Sequence, residues 1–375
     1  MTSFFFYGTL CHLPLLQVVL GRDVVAEPAM LPGHSVFWVA GQAFPVIRVE
    51  GAGATGVLVR DLSPEDIARL DFYEGGFDYQ TRNVVVEGQR GAQAASVYFP
   101  TGGQWQPGAP WRLSDWVAKW GPAVVATAED FMRQFGVRPS SALLARYPMM
   151  LMRGGATARA RLPGAAPQLR RKGKADDVAV AKFAQVYANY FSVEEYDLQF
   201  RRFDGSMSTV VNRAIFLSGD AAVVLPYDPR RDRVLVIEQF RMGPFARGDN
   251  NPWLIEAVAG RVDGGETPEE AARREAMEEA GLELFDLIPA KHYYPSPAAM
   301  GEYLYTYVGL TDLPDDAAGI GGLPGEAEDI RAHILPFERL MSLVESGEID
   351  NAPLILLAYW LDRHRSAMRE GRTGA

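Results

Sequence analysis

The apolar and polar positions of the chain fall into two differently patterned halves joined by a stretch with no period. Residues 3–7 form an apolar run, Phe4-Phe5-Phe6-Tyr7, closed by Gly8, and predict a short buried strand. Further strand-like segments at 35–39, 55–60, 83–87 and 94–99 are punctuated by Gly, Pro and Asp clusters. Ser63-Pro64-Glu65-Asp66 predicts a helix start, with Ser63 as N-cap and Pro64 at the first helical position. Residues 112–135 carry Trp116, Val117, Trp120 and Val124 at helical spacing, interrupted by Gly121-Pro122. The stretch 153–176, rich in Gly, Ala, Pro and Arg, lacks apolar periodicity and reads as linker. From 180 onward the pattern reads as helix, then several strands, then helix. Val223-Val224-Leu225 and Val234-Leu235-Val236-Ile237, split by the turn signal Asp228 to Asp232, predict paired strands. Another strand is expected from Tyr303 to Gly309, and a closing helix from Ala352 to about Met368. The expected organisation is a domain over 1–145, a linker over 146–178 and a second domain over 179–375.

Composition fits that division. The chain has 375 residues, 48% apolar and 22% charged, so each half is long enough to bury a core. A net charge of −10 argues against a general nucleic-acid or anionic-membrane partner. It leaves a phosphate substrate open, because a bound cation inverts local charge. One cysteine, Cys11, and an N-terminus without a basic region or long apolar stretch lead to the expectation of a cytoplasmic protein.

The chemistry concentrates in Gly260-Arg261-Val262-Asp263-Gly264-Gly265-Glu266 and the segment after it. Thr267 is an expected N-cap, Pro268 suits the first turn, Glu270 completes a capping box and Gly281 supplies the stop. A helix is therefore expected over 268–280. On it Glu275, Glu278 and Glu279 stand at i, i+3 and i+4 and share one face. Like charges so placed repel by a few tenths of a kcal/mol per pair, roughly as much as an opposite pair gains. A hard divalent cation reverses the sign of that interaction.

The full spacing from Gly260 through Glu266, Arg274-Glu275 and Glu278-Glu279 to Gly281-Leu282 resembles the Nudix box, with Ala276 in a slot that usually holds a larger aliphatic residue. The resemblance implies an αβα sandwich whose loop–helix–loop presents metal ligands to a diphosphate. It implies Glu275 and Glu279 as metal-binding carboxylates, Glu278 as a third participant, Arg274 as the residue that orients a glutamate and Glu266 as a brace for the loop. The flanks Ile237 to Arg241, Trp253 to Gly260, Tyr294-Pro295-Ser296-Pro297 with Glu302, Gly325 to Arg331 and Gly347 to Asn351 resemble ADP-ribose pyrophosphatases, over about 185–370. Ala298 stands where that family has glycine. This resemblance implies Mg²⁺, with Mn²⁺ as an alternative, and hydrolysis of ADP-ribose to AMP and ribose 5-phosphate. The other reading is a different nucleoside diphosphate derivative. It also implies the carbonyl of Ala259 and the carboxylate of Glu328 as further metal ligands, and Glu326 as general base with Glu302 second. Arg241 and Arg213 would hold phosphates and terminal ribose, and Tyr190 or Phe191 would stack on adenine. A homodimer in which Arg213 reaches across is implied as well.

In the first half, Tyr7-Gly8-Thr9-Leu10 closes a strand with a tight turn that can offer backbone N–H groups to a carboxylate, and Leu70-Asp71-Phe72-Tyr73-Glu74-Gly75-Gly76 sets an acid before a flexible stretch. These segments resemble the γ-glutamylcyclotransferase-like fold over about 3–105, a small β-barrel with the Tyr7 to Leu10 loop at the pocket mouth. The resemblance implies Glu74 as the proton shuttle. The rival reading is a non-catalytic binding or dimerisation module. The fold class expected for the whole chain is α+β.

Overall fold

The computed structural model describes residues 2–75, 79–102, 105–315, 319–321 and 329–371. The chain divides into two compact units, Met1–Ala166 and Pro167–Ala375.

The first unit is built on a closed five-stranded barrel in the order Thr2–Phe6, Gly53–Leu62, Ala26–Pro32, Tyr79–Gly88, Gly91–Pro100. It closes through a parallel pairing of Phe4 with Ser96. Alternation along Thr2–Phe6 serves two cores. Phe5 packs with Leu58, Val86 and Val97, whereas Phe4 and Phe6 pack with Leu15, Leu70, Trp116 and Phe131 on the helices. The helix Pro64–Glu74 starts as its sequence demands: the Ser63 hydroxyl accepts from the Asp66 N–H, and the Asp66 carboxylate accepts from the Ser63 N–H. Gly121-Pro122 divides the 112–135 region into two helices, Leu113–Lys119 and Gly121–Met132.

The stretch expected as linker, 146–178, differs. It contains the helix Tyr147–Ala160, with Met150 and Met152 buried. Gly154 explains both the packing and the missing apolar pattern. A Cβ there would lie 2.1 Å from the Thr127 hydroxyl and 2.6 Å from the Ala123 carbonyl. Small residues, rather than a stripe of large apolar ones, make this contact with Gly121–Met132.

The second unit is an αβα sandwich. Its central sheet runs in the order Asp286–Pro289, Leu304–Leu310, Ala221–Asp228, Arg233–Phe240, Ile330–Pro336, Ile320–Gly321. Trp253–Glu256 pairs Arg233–Phe240, and Val258–Arg261 pairs Ala221–Asp228. The expected hairpin pairs Tyr227 with Val234. The strand Ala221–Asp228 is buried on both faces. Ala222 and Val224 pack with Ala271, Ala272 and Ala276 of the helix Pro268–Ala280. Val223, Leu225 and Tyr227 pack with Phe337, Leu340, Leu354 and Leu357 of the helices Phe337–Ser346 and Ala352–Arg369. The three alanines bring the signature helix close to the sheet. Ala276, in the slot where the pattern favours a larger side chain, is fully buried there.

A helix was expected at the start of this unit, and the structure has a strand. Val178–Ala188 pairs antiparallel with Ser192–Phe200, which in turn pairs Val211–Leu217. Its Ala, Lys and Gln content favours a helix locally, but the ladder to its neighbour decides the conformation. Among the described residues no helix is long and apolar enough to cross a membrane.

Candidate functional site

The helix Pro268–Ala280 has the bounds its caps dictate. The Thr267 hydroxyl accepts from the Glu270 N–H, the Glu270 carboxylate accepts from the Thr267 N–H, and Gly281 ends the helix in the left-handed region at φ 63°. Two of its glutamates, Glu275 and Glu279, meet the strand Val258–Arg261 at its middle residues. Glu279 is almost wholly buried, and its carboxylate accepts the Ala259 N–H at 3.0 Å. Glu275 sits against Gly260 so closely that a Cβ on Gly260 would lie 1.8 Å from its Oε1. Glycine at 260 is thus a steric requirement for the position of the Glu275 carboxylate.

Arg274 is the hub of this cluster. It donates to Glu266 through Nε at 2.9 Å and Nη2 at 3.0 Å, to Glu275 at 2.6 Å, to Glu278 at 2.9 Å and to the Arg261 carbonyl at 3.0 Å. These bonds, Glu266 foremost, hold its guanidinium well above the usual arginine range. Glu266 also accepts the Asp263 N–H at 3.1 Å, so it braces the loop while anchoring Arg274. Burial raises the Asp263 carboxyl above its usual range.

Glu302, expected as the second candidate base, is tied into the strand Val258–Arg261. Its Oε1 accepts from Arg261 at 2.6 Å and from the Ser218 hydroxyl at 2.9 Å. Arg261, immediately after the first glycine of the signature, escaped the sequence reasoning because only the fold brings Glu302 to it. The Arg261 guanidinium also lies 5.9 Å from the Phe191 ring centroid, and Phe191 packs on Phe216 at 4.6 Å. Tyr190 is half exposed and meets Phe191 edge-on at 4.7 Å. Arg241 pairs with Glu256 at 2.6 Å, and Arg213 donates to the Asn212 carbonyl from the strand Val211–Leu217. Ala298 adopts no positive φ, so the alanine in place of the family's glycine introduces no backbone strain. Glu326 and Glu328 lie outside the described residues.

The donor set of Glu275, Glu279 and the Ala259 carbonyl consists of hard oxygens and suits Mg²⁺ or Mn²⁺. Among the described residues, no three His, Cys, Asp or Glu side chains converge into a complete ligand group. The described donors therefore fit part of a hard-cation shell, which the substrate's own phosphate oxygens and water commonly complete.

The first unit holds a cavity of about 540 Å³. Tyr7, Gly8, Thr9 and Leu10 line it, and Glu74 at the end of the helix Pro64–Glu74 lines it with them. Desolvation pushes the Glu74 carboxyl up to about 7. Tyr73, Tyr79, Tyr98 and Tyr147 complete a ring of five tyrosines with Tyr7. Their hydroxyls have protein partners. Tyr7 and Tyr79 bond to each other, and Tyr79 donates to the Pro45 carbonyl at 3.1 Å. Tyr73 and Tyr147 bond to each other, and Tyr98 donates to Asp71 at 2.7 Å. Tyr98 and Tyr147 were not among the residues singled out from the sequence, where they stand far from Glu74.

Comparison with known proteins agrees with both halves. Residues 217–357 match the NUDIX domain family, and residues 4–118 match the family described as gamma-glutamyl cyclotransferase, AIG2-like. The chain is 41% identical over 194 residues to an ADP-ribose pyrophosphatase of Escherichia coli (strain K12), covering 52% of this chain and 92% of that one. It is 32% identical over 196 residues to the ADP-ribose pyrophosphatase of Haemophilus influenzae, covering 52% and 90%. It is 30% identical over 173 residues to a GDP-mannose pyrophosphatase of Escherichia coli O9:H4, covering 46% and 88%. The chain belongs to the Nudix family as a pyrophosphatase acting on nucleoside diphosphate compounds, and it carries ahead of that domain an AIG2-like γ-glutamyl cyclotransferase domain.

Proposed function

We propose that the second unit hydrolyses ADP-ribose to AMP and ribose 5-phosphate with Mg²⁺. The observation that carries this reading is the placement of the Glu275 and Glu279 carboxylates against Gly260 and Ala259, neighbours on one strand. Those two carboxylates and the Ala259 carbonyl would hold the ion. When bound, Mg²⁺ neutralises the diphosphate and favours ionisation of water. Arg274 fixes the rotamers of Glu275 and Glu278, and Glu266 fixes Arg274. Glu326 takes the proton of the attacking water, with Glu302 as the second candidate for that role. In-line attack on one phosphorus then releases the two monophosphates. Arg241 and Arg213 hold phosphate and terminal ribose, and Tyr190 stacks on adenine with Phe191 behind it. The protein acts as a homodimer in the cytoplasm, with Arg213 reaching across to the neighbouring subunit. The choice of ADP-ribose over GDP-mannose follows the higher identity to the relatives named for ADP-ribose. A panel of ADP-ribose, GDP-mannose and other nucleoside diphosphate sugars, read as nucleoside monophosphate release with and without Mg²⁺, tests it. Preferred release of GMP from GDP-mannose would overturn the substrate, and release independent of Mg²⁺ would overturn the metal.

For the first unit we propose cyclisation of a γ-glutamyl amine, because Glu74 and the Tyr7 to Leu10 turn line one cavity. The substrate's α-amino nitrogen bonds to the γ-carbonyl carbon as the bond from that carbon to the amine nitrogen breaks. Glu74 takes the proton from the attacking nitrogen and returns it to the leaving amine, giving 5-oxoproline and the free amine. Release of 5-oxoproline, lost in Glu74→Gln, tests this. Undiminished release from the variant would remove Glu74 from the role.

A further inference from the structure

We infer that the helix Tyr147–Ala160, outside the segment matched to the cyclotransferase family, is part of the site in the first unit, and that Tyr147 is a positioning residue whose ring walls the cavity beside Glu74 and limits the water that reaches its carboxyl. The inference rests on the cyclisation reading above and adds a residue to it.

The family match ends at residue 118, and the cavity lining does not. Leu144, Tyr147, Pro148 and Leu151 line the cavity together with Glu74. Leu144 ends the short helix Ser140–Leu144, and Tyr147 and Leu151, at i and i+4, share one face of Tyr147–Ala160. This second helix is held along its length. Met150 is buried in one core with Leu70, Trp116 and Phe131. Gly154 packs against Thr127 and Ala123. Arg161, at the helix end, pairs with Glu129 through two hydrogen bonds of 3.0 and 2.7 Å. Without these four residues the cavity would be open on that side.

Tyr147 reaches Glu74 through its neighbour. The Tyr147 hydroxyl bonds to that of Tyr73, the residue before Glu74. Both rings meet Phe131 edge-on, at 6.4 Å and 5.7 Å. The groups that face Glu74 from the elements around it are phenols: Tyr7, Tyr79 and Tyr98 from the barrel, Tyr73 from its own helix and Tyr147 from the second helix. Asp71, on the helix of Glu74, accepts from Tyr98 at 2.7 Å, and Cys11 behind Tyr7 is a thiol pushed up to about 12. Arg48 and His12 touch the lining residues Trp105 and Trp116 from behind. Among the described lining residues there is no Arg, Lys or His. Exclusion of water, rather than a charged partner, therefore raises the Glu74 carboxyl to about 7. Truncating Tyr147 leaves a gap the size of one ring beside that carboxyl, with the Tyr73 hydroxyl as a polar partner for water entering it.

The test titrates Glu74 directly, by carboxyl-carbon NMR of the full chain labelled at glutamate, with its signal identified by loss in Glu74→Gln. The wild-type midpoint is expected near pH 7. Tyr147→Phe keeps the ring and should leave the midpoint in place, whereas Tyr147→Ala should lower it by about one pH unit. Leu151→Ala, from the same wall, should move it in the same direction, and it carries the test if Tyr147→Ala does not fold. A wild-type midpoint near 4.5 would overturn the inference. So would an unchanged midpoint in whichever alanine variant folds. An equal fall in Tyr147→Phe would overturn it as well, by assigning the effect to the hydroxyl instead of the ring. Release of 5-oxoproline from γ-glutamylethylamide is followed in parallel, and its rise with pH should move down in Tyr147→Ala by the same interval. Absence of 5-oxoproline from the wild type, with the midpoints as expected, would overturn the cyclisation reading and leave Tyr147 as the wall of a binding cavity.

Discussion

Glu74 couples the stability of the first unit to pH, and the size of that coupling follows from its burial. Desolvation raises its carboxyl from 4.5 to about 7. Between those values the native carboxyl keeps a proton that the unfolded one has released. The native state then binds more protons than the unfolded state, so stability falls as pH rises through this window. The penalty is absent below the unfolded value and complete above about 7. At about 1.36 kcal/mol per pH unit, it amounts to ~3 kcal/mol. Glu74→Gln keeps the shape and removes the ionisation, so the variant escapes the penalty. Urea unfolding followed by tryptophan fluorescence suits the measurement, because Trp38, Trp105, Trp111, Trp116 and Trp120 all lie in the first unit. The stability of the variant relative to wild type is expected to increase by ~3 kcal/mol between about pH 4.5 and about pH 8.5. Pairing each pH with both proteins cancels every other titrating group. A difference that stays constant to within a few tenths of a kcal/mol would refute the claim that Glu74 is held in a desolvated cavity.

Three further outcomes follow from the geometry. The rate of 5-oxoproline release should rise with pH through about 7, since Glu74 acts as base in its ionised form; a profile flat from pH 5 to 9 would contradict that role. Gly260→Ala places a Cβ 1.8 Å from Glu275 Oε1 and should lower kcat for nucleotide release by about 100-fold, with an unchanged circular dichroism spectrum. Full activity in that variant would show that the Glu275 position is not needed. Glu302→Gln retains an oxygen for Arg261 and Ser218 and should keep activity within about tenfold of wild type, whereas a loss of ~100-fold or more would identify Glu302 as the base after all.

What the sequence made legible was local or strictly periodic. The signature helix is bounded by Thr267 and Gly281 because caps are written in adjacent residues. The run Val223 to Leu225 signals a strand, and the fold covers both of its faces with helices. Features that depend on distant partners were hidden. Val178–Ala188 has the composition of a helix and becomes a strand because Ser192–Phe200 pairs with it. Gly154-Gly155 resembles linker and instead lets two helices approach closely. The pairing of Arg261 with Glu302 joins residues far apart in sequence. The tyrosine ring gathers Tyr7, Tyr73, Tyr79, Tyr98 and Tyr147, whose spacing along the chain carries no period. The motifs singled out the proposed acids of the two sites, while their surroundings came from packing.

The most direct test of the central claim is AMP release from ADP-ribose in Mg²⁺ by the wild-type chain and by Glu279→Gln. Glu279 is buried, accepts the Ala259 N–H and is proposed to hold the ion, so removing its charge should remove turnover without unfolding the second unit. The expected result is one AMP and one ribose 5-phosphate per ADP-ribose from the wild type, and no measurable AMP from a folded variant. Undiminished AMP release by Glu279→Gln would contradict the account.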